Sequence, residues 1–189
     1  LNGRIEATGQ TLQALRGLFT LPLNLQHVDS MAQSLVGYRS AVDGLKSSYQ
    51  QIEASRLVRR TTGDKALQLL DGLDRLITTG MSVDDQYRIY RAVKDLQMQF
   101  LYARFETRAY TYSNNPKSFA AAAKAVDQTL ASLAVLREAL SGAEQATLDE
   151  RGKNVQAYRD SLQAHQDALQ QIDTSSAELQ KQGDAMLGV

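Results

Sequence analysis

The sequence has no cysteine. That absence excludes disulfides, zinc–thiolate sites and a cysteine nucleophile. It has only two histidines, His27 and His165, far apart along the chain, so no histidine metal centre is expected, and no cofactor is implied. Lysine plus arginine equals aspartate plus glutamate, so the basic footprint of a nucleic-acid binder is missing. No stretch approaches the ~20 consecutive apolar residues of a membrane span. The phosphate-binding glycine loops, the zinc-protease HExxH and the GxSxG elbow are all absent, as is any serine–histidine–aspartate arrangement. The residues therefore offer no catalytic site, and no enzyme activity is expected. Proline is nearly absent too: Pro22 and Pro116 fall in "FTLPLN" and "SNNPKS". With "TTGDK", "TTGMSVDD" and "LSGAEQ", these are the expected breaks between elements.

What remains is rich in helix formers and patterned at helical spacing. Val28, Met31, Leu35, Tyr38, Val42, Leu45, Tyr49, Ile52, Arg56 and Arg59 alternate three and four apart. A second seam runs Ile89, Val93, Leu96, Phe100, Ala103, Thr107, Tyr110. A third runs from Leu148 through Arg151, Val155, Tyr158, Leu162 and His165 to Met186. Such positions face partner helices, so the fold class is all-α. Phe119, Ala123, Val126, Leu130 and Leu133 mark a shorter helix after Pro116, and Ala66, Leu69, Leu70, Leu73 and Leu76 another over 64–78. The last helix should run roughly 65 Å and the two shorter ones roughly 35 Å and 22 Å. A long helix cannot bury its seam against one short helix. Two stacked antiparallel bundles sharing long helices solve this, with the helix after Pro116 in a different bundle from the one after Gly63. The alternative is a single four-helix bundle.

Polar residues interrupt these seams. Arg56 and Arg59 stand where apolar residues are expected, with Arg60 beside them. They are either a solvated helix end or an anion site, for which the planar guanidinium fork suits a carboxylate. Arg104 and Arg108 share one helix face near Tyr102, Tyr110 and Tyr112. Either they pair with acids across an interface, or they line a pocket for a small dicarboxylate with tyrosine hydroxyls as neutral donors. On the last helix, Arg151, Tyr158, His165 and Ser176 read as register-setting or packing residues.

The stretch "FLYARFETRAYTYSNNPKSFAAAAKAVDQTL", followed by "LREALSGAEQATLDERGKNVQAYRDSLQAHQDAL", resembles the ligand-binding region of bacterial methyl-accepting chemotaxis proteins. The resemblance covers about Met31 to Met186 and is nearest to the helical bimodular class. The first helix, Leu1–Phe19, is shorter than that family's. The resemblance implies a periplasmic domain of an inner-membrane protein, held by flanking transmembrane helices. It implies a homodimer that binds small organic acids such as citric-acid-cycle intermediates and signals to a cytoplasmic kinase pathway. The expected modules are a membrane-distal one over about 28–95 and a membrane-proximal one over about 1–27 and 96–189. The family's ligand residues map onto Arg104, Arg108, Tyr110 and Tyr158, with Arg16 and Arg4 from the first helix. A second site for a smaller carboxylate would use Arg56, Arg59 and Arg60.

Two functions compete on the sequence. One is a sensor in which ligand displaces a helix; the other is a coiled-coil spacer or adaptor that binds protein partners. They are told apart by whether each inward arginine has an acid of its own.

Overall fold

The computed structural model describes residues 2–73, 82–140 and 143–188. Among these the regular elements are all helices: α1 (Asn2–Leu18), α2 (Pro22–Asp71), α3 (Val83–Ser113), α4 (Pro116–Glu138) and α5 (Ala143–Leu187). Pro22 and Pro116 each occupy a first helical position, where the missing N–H costs nothing. Between α3 and α4 the chain turns on two asparagines. Asn114 closes α3 in the left-handed region, at φ 53°, and Asn115 Oδ1 accepts from the Lys117 N–H at 2.9 Å to open α4. Ser82 caps α3, and Asp84 and Asp85 meet the positive end of its dipole.

The chain divides into two compact units, residues 1–52 with 167–189 and residues 53–166. The boundaries expected near 27/28 and 95/96 fall instead at 52/53 and 166/167. The reason is the core of the second unit. Ala66, Leu70 and Leu73 of α2 pack with Ile89, Val93, Leu96, Phe100 and Ala103 of α3, with Val126, Leu133 and Leu136 of α4, and with Leu148, Val155 and Tyr158 of α5. The segment after Gly63 and the helix after Pro116 thus share one bundle, against the expectation that they would separate. By length and composition α4 is apolar enough to cross a membrane, which the sequence reading missed; here Ala122, Ala125, Val126 and Leu133 lie buried in the unit.

Nor is "TTGDK" a break: α2 runs through it. Gly63 is there for packing. A Cβ at this position would lie 2.9 Å from Tyr158 Cε2, closer than carbon atoms approach. The expected 64–78 helix is the end of α2, and residues 74–78 lie outside the described residues.

The seam of α3 is buried at all seven positions. In the first unit the buried face of α2 is broader than the expected seam. Val28 and Val42 are buried on the expected line, Ser34, Ala41 and Ser48 are buried beside it at heptad spacing, and Met31 and Tyr49 face solvent. Gly37 and Gly44 explain the broadening. A Cβ on either would strike Gln182 or Ser175 of α5, so these helices approach closely through small side chains. The α5 seam shifts to Ala168 and Ser175.

Opposite signs are expected for two glycine substitutions. Gly63→Ala should gain about 1 kcal/mol of helix propensity but lose roughly 1–3 kcal/mol to overpacking against Tyr158, for a net loss. Gly152→Ala on α5, where a Cβ meets nothing within 4 Å, should raise stability by up to about 1 kcal/mol. Urea denaturation of both variants checks this; a stabilised Gly63→Ala would contradict the packing role.

Candidate functional site

The inner face of α5 in the second unit carries Tyr158, Leu162 and His165, one turn after another, all buried. Helical spacing puts a phenol and an imidazole seven residues apart on one line. Opposite them α2 contributes Arg59, also only 6% exposed. A guanidinium is charged at any accessible pH, so its burial needs compensation. Arg59 Nη1 donates to the Ser161 carbonyl at 3.0 Å, and Nη2 lies 3.4 Å from His165 Nδ1. Among the described residues no carboxylate comes within ion-pair distance of Arg59. Burial depresses its pKa first; Tyr158 and Tyr110 act upward, and Arg56 acts downward.

His165 is held neutral. Burial, and then the Arg59 charge, lower its pKa to about 4. With Nδ1 accepting from Arg59, the ring proton belongs on Nε2. That nitrogen is buried without a hydrogen-bond partner, so a donor stands ready beside a positive charge. The ring also meets Tyr110 edge to face, with centroids 5.6 Å apart.

Tyr158 joins both arginine sets. It packs edge-on against Phe100, and burial raises its phenol above the ordinary value. Against that act the Thr107 hydroxyl and then three guanidiniums, of Arg104, Arg59 and Arg108. Among the described residues no carboxylate acts on it. Arg104 and Arg108 of one expected site, and Arg59 of the expected Arg56–Arg60 site, thus act on a single side chain.

Their members differ in availability. Arg104 is spent: Nη2 pairs with Asp64 at 2.7 Å, and Nη1 donates to the Gly63 carbonyl at 3.3 Å. Arg108 is exposed on the outer edge of α3. Tyr110 is wholly buried and its hydroxyl donates to Gln166 Oε1, so it is not the free neutral donor expected of it. Of the second cluster only Arg59 turns inward. Arg56 is exposed and pairs with Glu53 at 3.1 Å, and Arg60 is exposed. Arg16 and Arg4 belong to the first unit. Arg16 forms a two-point pair with Asp29 on the surface, and Arg4 is exposed.

Sequence reasoning missed His165, Gln166, Ser161 and Asp64. His165 had a signal, since it shares a seam with Tyr158, but it reads equally as a register residue. Asp64 and Gln166 had none, because their roles depend on which helices are neighbours. Among the described residues there is no cluster able to hold a metal ion.

Arg104 has its acid; Arg59 has none among the described residues. Three guanidiniums act on Tyr158, one of them paired with Asp64, and the buried His165 Nε2 on the same helix face has no partner. The arrangement suits a small anion.

Comparison with known proteins agrees with a two-unit helical sensor. The chain is 28% identical over 176 residues to methyl-accepting chemotaxis protein McpQ of Pseudomonas putida, covering 93% of this chain and 27% of that protein. It is 32% identical over 154 residues to methyl-accepting chemotaxis protein McpK of Pseudomonas aeruginosa, covering 79% of this chain and 23% of that one. The chain thus spans about a quarter of the length of these relatives. The family model described as the helical bimodular sensor domain matches residues 1–189, and with the all-helical, two-unit architecture this shows that the chain belongs to the helical bimodular sensor domains.

Proposed function

We propose that this chain is the extracytoplasmic ligand-binding domain of a chemoreceptor, periplasmic and anchored by flanking transmembrane helices, and that it binds a small organic acid without catalysing a reaction. The observation that carries the ligand class is Arg59, a buried guanidinium with no carboxylate partner among the described residues, beside an unsatisfied His165 Nε2–H. One carboxylate of the ligand takes Arg59. Arg108, at the rim, takes the other, so the class is dicarboxylates of the size of citric-acid-cycle intermediates. Arg104 orders the site through Asp64 and Gly63. Arg59 lies on α2, and Tyr158 and His165 on α5, two helices that continue unbroken past the site. A ligand that draws these groups together favours one helix position over another, and that displacement is the signal. The spacer or adaptor function is disfavoured because Arg59 is left without an acid among the described residues.

The partner is a second copy of this chain, and α3 supplies the surface. Val83, Tyr87, Tyr90, Met98, Leu101, Phe105 and Tyr112 are 45–94% exposed and fall within one narrow stripe at three-four spacing. It lies nearly opposite the seam that α3 buries. Together these side chains expose roughly 800 Å². That exceeds what monomers usually leave uncovered and equals about 800 Å² per partner in an ordinary stable interface. Arg108 borders the stripe, so dimerisation would bring a partner surface to the rim of the site.

Succinate, malate and citrate, screened by thermal shift and then by titration calorimetry, should include a binder. Arg59→Lys should weaken it by about 10- to 100-fold, the loss of one charge-assisted bond. Arg108→Ala should cost less. Undiminished affinity in Arg59→Met would remove the site from this place, and silence across the acids would remove the ligand class.

Phe105→Asp should shift sedimentation of the ligand-bound chain from dimer to monomer. An unchanged dimer would assign the interface to another face.

His165 adds a pH dependence. Its folded pKa, about 4, lies below the unfolded value near 6.5. The unfolded chain therefore takes up the proton first as pH falls. The stability due to neutral His165 is complete above pH 6.5 and is lost progressively towards pH 4, on the order of 3 kcal/mol in all. His165→Gln should lose less stability across that window in urea melts; equal losses would assign the acid sensitivity elsewhere.

A further inference from the structure

Arg151 is the second buried arginine of the unit, 6% exposed, and its circumstances differ from those of Arg59. It lies two heptads before His165 on the α5 seam, roughly 20 Å away along the helix. Its seam neighbours Leu148 and Val155 are buried in the hydrophobic core. The helix thus carries a guanidinium inward between two aliphatic layers. Its Nε and Nη1 are buried and have no hydrogen-bond partner. Gly72 stands opposite, where a Cβ would lie 3.4 Å from Nη2, so a larger residue there would press on the group. Four less buried arginines, Arg16, Arg88, Arg137 and Arg159, each hold a carboxylate within 3 Å. Arg151, where desolvation is most costly, holds none among the described residues.

Buried donors without acceptors are rare, and a buried charge without a counter-charge is rarer. Arginine cannot escape by losing its proton, as a buried lysine or histidine does. We propose that Arg151 is the centre of a second anion site in this unit, which takes a small monovalent anion, a halide or a short monocarboxylate such as formate or acetate, on one edge of its guanidinium. The charge of the ligand follows from the surroundings. Arg151 offers a single positive charge, and among the described residues the charged neighbour that acts on it is Glu150, so one negative charge on the ligand is enough to neutralise the guanidinium. The size follows from the aliphatic layers on either side. The anion is a structural counter-ion for the unit and does not share the Arg59 centre.

The test is the thermal stability of the 189-residue chain in a halide- and carboxylate-free zwitterionic buffer. Sodium chloride, formate or acetate is then added, against a bulky sulfonate salt at equal ionic strength. Wild-type chain should melt higher with the small anion in a saturable way, by about 5–10 °C at one hundred times Kd. Arg151→Met should lose that rise while being at least as stable as wild type without the anion, because it removes an uncompensated charge. Arg59→Met should keep the rise, which separates this site from the one proposed above. A chloride response without a carboxylate response identifies the halide; the converse identifies the acid. If Arg151→Met does not fold, Arg151→Gln takes its place. An identical anion response in wild type and the Arg151 variant would overturn the proposal. So would a variant less stable by the same amount with and without anion, because Arg151 would then be satisfied by the protein alone.

Discussion

A helix of 45 residues must keep one face towards its neighbours along its length, whatever side chains that face carries. In the second unit α5 turns Leu148, Arg151, Val155, Tyr158, Leu162 and His165 inward in strict order. The leucines and valine supply the burial that holds the helix. Because they do, the polar members have no freedom to swing out to water. Each is delivered to a fixed depth and must find its partner there. Tyr158 finds the glycine gap at Gly63 and the Phe100 ring; His165 finds Arg59 and the edge of Tyr110.

Arg59 and His165 show how a buried charge rearranges its surroundings. The imidazole is the group that can give way, since removing its proton costs little at neutral pH. It does so, and offers a lone pair to the guanidinium. Asp64 could have neutralised a positive group near this site, but it is committed to Arg104 on the unit's outer side. The inner charge is therefore left with neutral acceptors, a carbonyl and a ring nitrogen. Neutral acceptors satisfy direction but leave the net charge uncompensated, which is the condition under which an external anion gains most from entering.

Much of the fold could be read from spacing, because spacing is what a helix enforces. All seven α3 seam residues, from Ile89 to Tyr110, are buried as expected, and α5 runs unbroken across the expected span. The failures have one physical source. Periodicity reveals which residues share a face, but not how close the next helix lies. Ser34, Ala41 and Ser48 form a buried seam that a search for large apolar residues passes over, because Gly37 and Gly44 let α5 come near. Gly63 reads as a break for the same reason: a residue chosen to admit the Tyr158 ring looks in sequence like one chosen to end a helix. The site was half legible. Arg59, Arg104, Arg108, Tyr110 and Tyr158 were all named, but as two clusters, since nothing local says that α2 and α5 face each other at Arg59 and His165.

Helix α3 carries a consequence of its own. One side supplies Thr107 and Tyr110 to the site, while nearly the opposite side presents the uncovered stripe from Val83 to Tyr112. A helix packed on both sides cannot rotate about its axis without breaking one set of contacts, so its remaining freedom is translation along its length. In the proposed dimer, ligand contacts at Arg108 and partner contacts at Phe105 lie within one turn of each other. A ligand that fixes the first biases the second through a single rigid turn of backbone. This gives coupling between carboxylate binding and subunit association a physical route that needs no chain of intermediate residues.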